Sequence, residues 1–194
     1  GLAREASVTF DKPLNIHKPI IKGGYGKSSD LISVSVEEPK LCQFYSTRVV
    51  KNVKIKKSPK WLRERLISAG IRPINNIIDI TNYVLTEYGQ PMHAFDLNMI
   101  SNNKIIVRKA TNGEKIKTLD NIERSLTDKD LVIADNEKIL AIAGVMGAEY
   151  SGINDNTKTI VFESANFDAK SVRLTAKSQG MRTDASAKYE KSLD

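Results

Sequence analysis

Cysteine occurs once in the 194 residues, at Cys42, so no disulfide can close within the chain. Histidine occurs twice, at His17 and His93, too few beside one cysteine for a Cys/His zinc site. No run approaches the roughly 18 consecutive apolar residues of a membrane span, and no signal peptide opens the chain. Internal repeats and low-complexity tracts are absent, and neither a Ser/His/Asp nor a Cys/His arrangement has the context of a nucleophile. What is present is 40% hydrophobic and 27% charged residues, the composition of a globular protein and too apolar for a disordered one. With 30 Lys and Arg against 23 Asp and Glu, the formal charge is +7, mildly basic. These features predict a cytoplasmic, metal-free protein of one large domain, or one domain with an appendage.

The ends predict a piece of a longer polypeptide. Leu2-Ala3-Arg4-Glu5-Ala6 reads as the tail of a helix, and residues 189–194 carry a helical pattern with no cap or breaker after it. Residues 11–30 are turn-rich and predict a flexible loop. Within it Gly26-Lys27-Ser28 hints at a phosphate loop, but that motif needs a glycine where Ile21 stands, and Lys18 and Pro19 disfavour the strand that should precede it.

Alternation predicts a strand over 31–36 and an extended segment over 44–55. A helix follows, with Ser58 as cap, Pro59 in its first turn, Leu62, Leu66 and Ala69 on one face, and Gly70 as stop. Pro73 then holds Arg72 extended. A second helix is predicted over 76–88, with Ile77, Ile80, Val84 and Tyr88 facing the core and Gly89 ending it. Strands are predicted at 104–108, 115–119, 131–134, 139–143 and 159–165, separated by Asn-Gly and Asp/Asn turns. A helix over 169–179 is capped by Asp168 and stopped by Gly180, and another begins near Asp184. The pattern is α+β.

Four segments carry more polar or glycine detail than a core requires. Thr81 and Asn82 sit inside the second helix, where they are mediocre helix formers. His93 follows in a predicted post-helical turn, as either a structural or a cleft-facing histidine. Gly144 and Gly147 allow positive φ or a close approach, in a bulge, a tight turn or a ligand contact. Glu163 shares a face with Val161 if alternation holds, and an inward carboxylate needs a partner, whereas an exposed one is ordinary. Thr183 and Asp184 read by themselves as helix caps. A run of Lys and Arg over 51–65 is either a solvated face or a phosphate contact.

Taken together, Gly70-Ile71-Arg72-Pro73-Ile74-Asn75-Asn76, Asp79-Ile80-Thr81-Asn82-Tyr83-Val84, Gly89-Gln90-Pro91-Met92-His93-Ala94-Phe95-Asp96, Ala143-Gly144-Val145-Met146-Gly147 and Arg182-Thr183-Asp184-Ala185-Ser186 resemble the B3/B4 region of the bacterial phenylalanine–tRNA ligase β subunit. The similarity runs in the family's order from about residue 40 to the end. It implies a layered, β-rich sandwich with flanking helices over 39–194, with 1–38 as an arm from a preceding domain.

The resemblance further implies an editing domain that hydrolyses tyrosine wrongly esterified to phenylalanine tRNA, or alternatively a silent structural or tRNA-binding module. The parent enzyme would use ATP and Mg2+ in its α subunit and assemble as two α and two β subunits. The fragment itself would hold no cofactor and contact the tRNA acceptor end, away from any membrane. Glu163 would accept the tyrosine hydroxyl, aided by the backbone of Gly147. Arg72 and His93 would lie at the ester and terminal adenosine, and Thr81 and Asn82 beside the attacking water. Thr183 would line the pocket and Ala185 keep it open. Ala148 stands where the family commonly has a second glycine, and Lys188 and Lys191 where it commonly has Arg.

Overall fold

The structure is a computed structural model that describes every residue except Gly1, His17, residues 21–23, Tyr25 and Asp194. Its elements run α1 (Leu2–Thr9), β1 (Ser33–Val36), β2 (Cys42–Lys51), α2 (Lys60–Ser68), α3 (Asn76–Tyr88), β3 (Met92–Asp96), β4 (Lys104–Lys109), β5 (Lys115–Lys117), β6 (Glu123–Ser125), β7 (Leu131–Ala134), β8 (Ile139–Ile142), β9 (Met146–Gly147), β10 (Thr159–Phe167), α4 (Ala169–Ser178) and α5 (Asp184–Tyr189). Two sheets carry the fold. One has the order β1-β4-β7-β8-β9 and the other β2-β10-β3, with β5 and β6 as a separate hairpin. The α+β class expected from the sequence is the one observed.

β1 runs parallel to β4, with Ser33 opposite Lys104 and Val36 opposite Val107. Part of the presumed arm is therefore woven into the larger sheet. β10 lies between β2 and β3, antiparallel to both. Its inward residues alternate: Val161, Glu163, Ala165 and Phe167 are buried, while Phe162, Ser164 and Asn166 are half-buried. The main core lies between the sheets and includes Phe95, Ile105, Val107, Val132, Ile133, Leu140 and Val161, each at most 1% exposed. Burying side chains of this size contributes about 1.5–3 kcal/mol each.

The helical region corrects several sequence expectations. Ser58 does not cap α2. Pro59 holds the cap position, and the Ser58 hydroxyl donates to Asp79 Oδ2 at 2.5 Å. Leu62 and Leu66 are buried as expected, but Ala69 is exposed. α3 has the expected bounds because Asn75 accepts hydrogen bonds from the Ile77 and Ile78 amides and Gly89 turns left-handed at φ 79°. Its buried residues are Ile77, Asp79 and Thr81, whereas Ile80 and Tyr88 face solvent. The reason is that α3 is wedged against both α2 and β3, which rotates its covered stripe toward positions 77 and 81.

Residues 190–193 do not continue the helix: α5 ends at Tyr189 and turns follow, and Asp194 lies outside the described residues. In the turn-rich segment, Ser28 opens a short 3-10 turn and its hydroxyl accepts the Val49 amide at 3.2 Å, which ties it to β2. Ile21 and much of the Gly23–Gly26 run fall outside the described residues.

Candidate functional site

β3 was not foreseen as a strand, and it decides the geometry of the site. His93 lies within it, in register with Glu163 of β10, and not in a turn. Directly opposed residues of an antiparallel pair hold their Cβ atoms about 4.5–5.5 Å apart on one face. Thr47 of β2 stands on the other side of Glu163, and Tyr45 opposite Ala165. The side chains of His93, Glu163 and Tyr45 therefore project from one face of the small sheet toward the larger one.

That face meets the β8–β9 turn. The Val145 amide donates to the Ile142 carbonyl at 3.0 Å, closing a tight turn in which Gly144 takes φ +69°. A Cβ there would stand 2.9 Å from Val172 and 3.0 Å from Tyr189, so conformation and packing both call for glycine. Gly147 is required for a different reason. It has no positive φ, but a Cβ on it would come within 2.6 Å of His93 Cε1 and 2.8 Å of Nε2. The imidazole edge lies where a side chain would be. Ala148, where a second glycine was expected, has no left-handed backbone and is buried without conflict.

Between these parts lies a cleft of about 380 Å³, counting its open mouth. His93, Gly147, Glu163 and Ala185 line it, together with Met146 and Tyr189. Thr183 is not among the lining residues. Its hydroxyl donates to the Val145 carbonyl at 2.9 Å and accepts the Ser186 amide at 3.1 Å, so it caps α5 and fastens that helix to the β8–β9 turn. Ala185 in the first turn is positioned by that cap.

Arg72, Thr81 and Asn82 lie outside the cleft lining. Arg72 is exposed on the α2–α3 connection, whose Ile74 amide is held by Asp79 at 2.7 Å. Thr81 is buried and its hydroxyl donates to the Ile78 carbonyl at 2.8 Å. Asn82 is half-buried on α3.

The electrostatics of the cleft are set by burial. Glu163 is 5% exposed, its Oε2 has no hydrogen-bond partner, and burial pushes its pKa from 4.5 up to about 8. The Tyr45 hydroxyl opposes this rise without closing a hydrogen bond, and is itself buried and unpartnered. His93 Nε2 is likewise unpartnered, and burial lowers the ring to about 4. At neutral pH the pair is a protonated acid beside a neutral imidazole. An unperturbed His93, suited to proton abstraction near pH 7, is not what the structure provides.

Buried polar atoms without partners cost about 1–3 kcal/mol each and are uncommon in folded proteins, so two on the cleft wall, at His93 and Glu163, fit a ligand that supplies the missing bonds. Tyr45 and Tyr189 were missed in the sequence. Tyr45 follows Phe44 in β2 with no alternation to single it out, and only cross-strand register brings it near Glu163. Among the described residues, no group of three or more His, Cys, Asp or Glu could hold a metal ion, and no helix is long and apolar enough to cross a membrane.

Comparison with known proteins yields consistent matches. A family model described as the B3/4 domain matches residues 41–194. The phenylalanine–tRNA ligase beta subunit of Carboxydothermus hydrogenoformans is 50% identical over 194 residues, covering 100% of this chain and 24% of that protein. Its counterpart in Clostridium acetobutylicum is 49% identical over 195 residues, with the same shares covered. The chain thus spans about a quarter of the length of these relatives. An N-terminal fragment of the phenylalanyl-tRNA synthetase beta-subunit from Pyrococcus horikoshii superposes with TM-score 0.56 at 17% identity, over 86% of this chain and 54% of that one, a likeness of fold.

Proposed function

The chain belongs to the B3/4 domain family, and from that premise we propose that it is the editing domain of a phenylalanine–tRNA ligase β subunit, hydrolysing tyrosine esterified to phenylalanine tRNA. The observation that carries this reading is the buried, unpartnered Glu163 carboxyl facing a cleft beside His93. A phenol hydroxyl can both donate to and accept from a protonated carboxyl, so tyrosine supplies the bond that Glu163 lacks. Phenylalanine would leave the same atoms unpaired, and sites built around a substrate hydroxyl reject the analogue without it by large factors. An apolar synthetic pocket rejects the added hydroxyl by only about a hundredfold, which is why a second sieve is useful.

Glu163 recognises the phenol, Gly147 leaves room for the His93 ring, and Ala185 keeps the entrance open. Water attacks the ester carbonyl, and catalysis rests on positioning and polarisation without a covalent nucleophile. With a depressed pKa, neutral His93 holds a hydrogen-bond partner more readily than it removes a proton at pH 7. Thr183 acts as the cap that fixes Ala185. Arg72, Thr81 and Asn82 belong to the approach of the acceptor end, outside the cleft. ATP, Mg2+ and the α subunit serve amino-acid activation elsewhere in the parent ligase.

The test is release of free tyrosine from tyrosyl-tRNA(Phe), beside phenylalanine from correctly charged tRNA. Glu163→Ala should lower the preference for the tyrosyl ester at least tenfold, and Ala185→Trp should block tyrosine release while the circular-dichroism melt stays cooperative. Unchanged discrimination in Glu163→Ala would discard the role given to that carboxyl.

A further inference from the structure

Outside the cleft, a second cavity of about 890 Å³, open to solvent, lies between α2 and α3. Trp61, Arg65 and Tyr83 form its working surface. The two rings meet edge to face, with centroids 5.8 Å apart and planes at 90°. Arg65 stands 5.7 Å from one ring centroid and 5.9 Å from the other, and its Nη1 donates to Tyr83 Oη at 2.8 Å. Trp61 is nevertheless 54% exposed, so a large indole with two braced neighbours is left largely uncovered.

Charge identifies the occupant. Residues 51–72 contain eight Lys and Arg and one acidic residue, Glu64, a net +7 that equals the net charge of the whole chain. The rest of the protein is neutral in sum. The 54–56 segment is also anchored: the Asn76 amide donates to the Lys56 carbonyl at 2.8 Å, the Lys56 amide donates to Asn76 Oδ1 at 3.0 Å, and Asn76 Nδ2 donates to the Lys54 carbonyl at 3.1 Å. A basic strip with an anchored backbone, leading in sequence into an exposed, arginine-braced aromatic, is the combination that binds unpaired nucleotides, with phosphates on the cations and a base on the ring. Glu64 and Glu87 within the groove disfavour a phosphate there and suit a base.

We propose that the α2–α3 groove binds single-stranded RNA, stacking one base on Trp61 beside Arg65 while Lys54, Lys56, Lys57 and Lys60 take the adjoining phosphates. The choice of RNA over other polyanions rests on the editing reading; the groove and the charge do not. Because α3 packs on β3, the strand that carries His93, RNA held here lies along the element that leads to the cleft.

Trp61 is the sole tryptophan, so its fluorescence reports on the groove directly. Titrating the chain with a short, unstructured oligoribonucleotide should give saturable quenching that weakens with salt. Lys56, Lys57 and Lys60 changed together to Gln should flatten the log–log salt dependence by about 2, from roughly 0.7 per phosphate contact. Trp61→Leu, followed by anisotropy of labelled RNA, should weaken binding about tenfold or more. Inorganic polyphosphate should compete without quenching.

Binding without quenching, equal quenching by polyphosphate, equal affinity for anionic lipid vesicles, or no binding at all would each overturn the proposal. A chain that releases tyrosine but shows no quenching loses the groove and keeps the editing reading. Quenching in a chain that releases no tyrosine keeps the groove and loses the other.

Discussion

Among the described residues five acids are buried, and they divide into two kinds. Asp79, Asp96, Asp130 and Asp135 each accept hydrogen bonds at both carboxylate oxygens: Asp96 from the Asn98 amide and Thr157, Asp130 from Thr127 and Thr175, Asp135 from the Ser101, Glu137 and Lys138 groups, and Asp79 from Ser58 and Ile74. Each pins a loop to a strand or helix. Glu163 is as deeply buried, yet Oε2 has no partner. The contrast teaches how to tell a structural acid from a functional one: the first completes its bonds within the fold, and the second leaves them for something that arrives.

Stability measurements can break this comparison. The largest effect is expected at Asp130. Asp130→Ala leaves the Thr175 hydroxyl and the Thr127 groups unpaired and should cost about 3 kcal/mol in urea unfolding, whereas Glu163→Gln, which removes the cost of keeping a buried acid protonated at neutral pH, should cost nothing or stabilise the fold. If both cost the same, the distinction between the two kinds of acid fails.

The next effect is in pH. Glu163, with an ordinary value of 4.5 and a folded value of about 8, holds a proton in the folded state that the unfolded chain has released between those pH values. Its contribution therefore falls as pH rises, by up to about 1.4 kcal/mol per pH unit. His93, ordinarily 6.5 and about 4 when folded, has the opposite slope between 4 and 6.5, because there the unfolded chain binds the proton. The two cancel from pH 4.5 to 6.5. A decline of about 2 kcal/mol should remain between pH 6.5 and 8, and Glu163→Gln should remove it. A decline that persists in that variant would show that other groups cause it.

The smallest expected effect is at Gly147. Gly147→Ala must displace the His93 ring from 2.6 Å contact, at about 1–2 kcal/mol of stability. Tyrosine release should fall far more than the melting temperature does. The reverse substitution at the next position, Ala148→Gly, should leave release unchanged, since the backbone there is not left-handed.

Much of this was legible in the sequence, and the reasons are local. α3 was bounded correctly because Asn75 caps it and Gly89 stops it, and both devices act within one turn. The inward face of β10 was legible because its alternation survives a charged residue. β3 was not, because Ala94, Phe95 and Asp96 are all buried in succession and no period of two shows. Strand register, a long-range property, then determined what the sequence could not: His93 stands opposite Glu163, while Thr81 and Asn82, a few residues upstream, sit on α3 and are not among the cleft's lining residues.

The parallel pairing of β1 with β4 has a consequence for where this domain can be cut. The family match begins at residue 41, after β1. A piece trimmed to that boundary would uncover the Lys104–Lys109 edge, with the β-branched run Ile105, Ile106 and Val107 and a row of unpaired amides and carbonyls. Such an edge recruits strands from other molecules. Residues 33–36 thus serve as a selvedge: four residues that keep a woven sheet from fraying into aggregates.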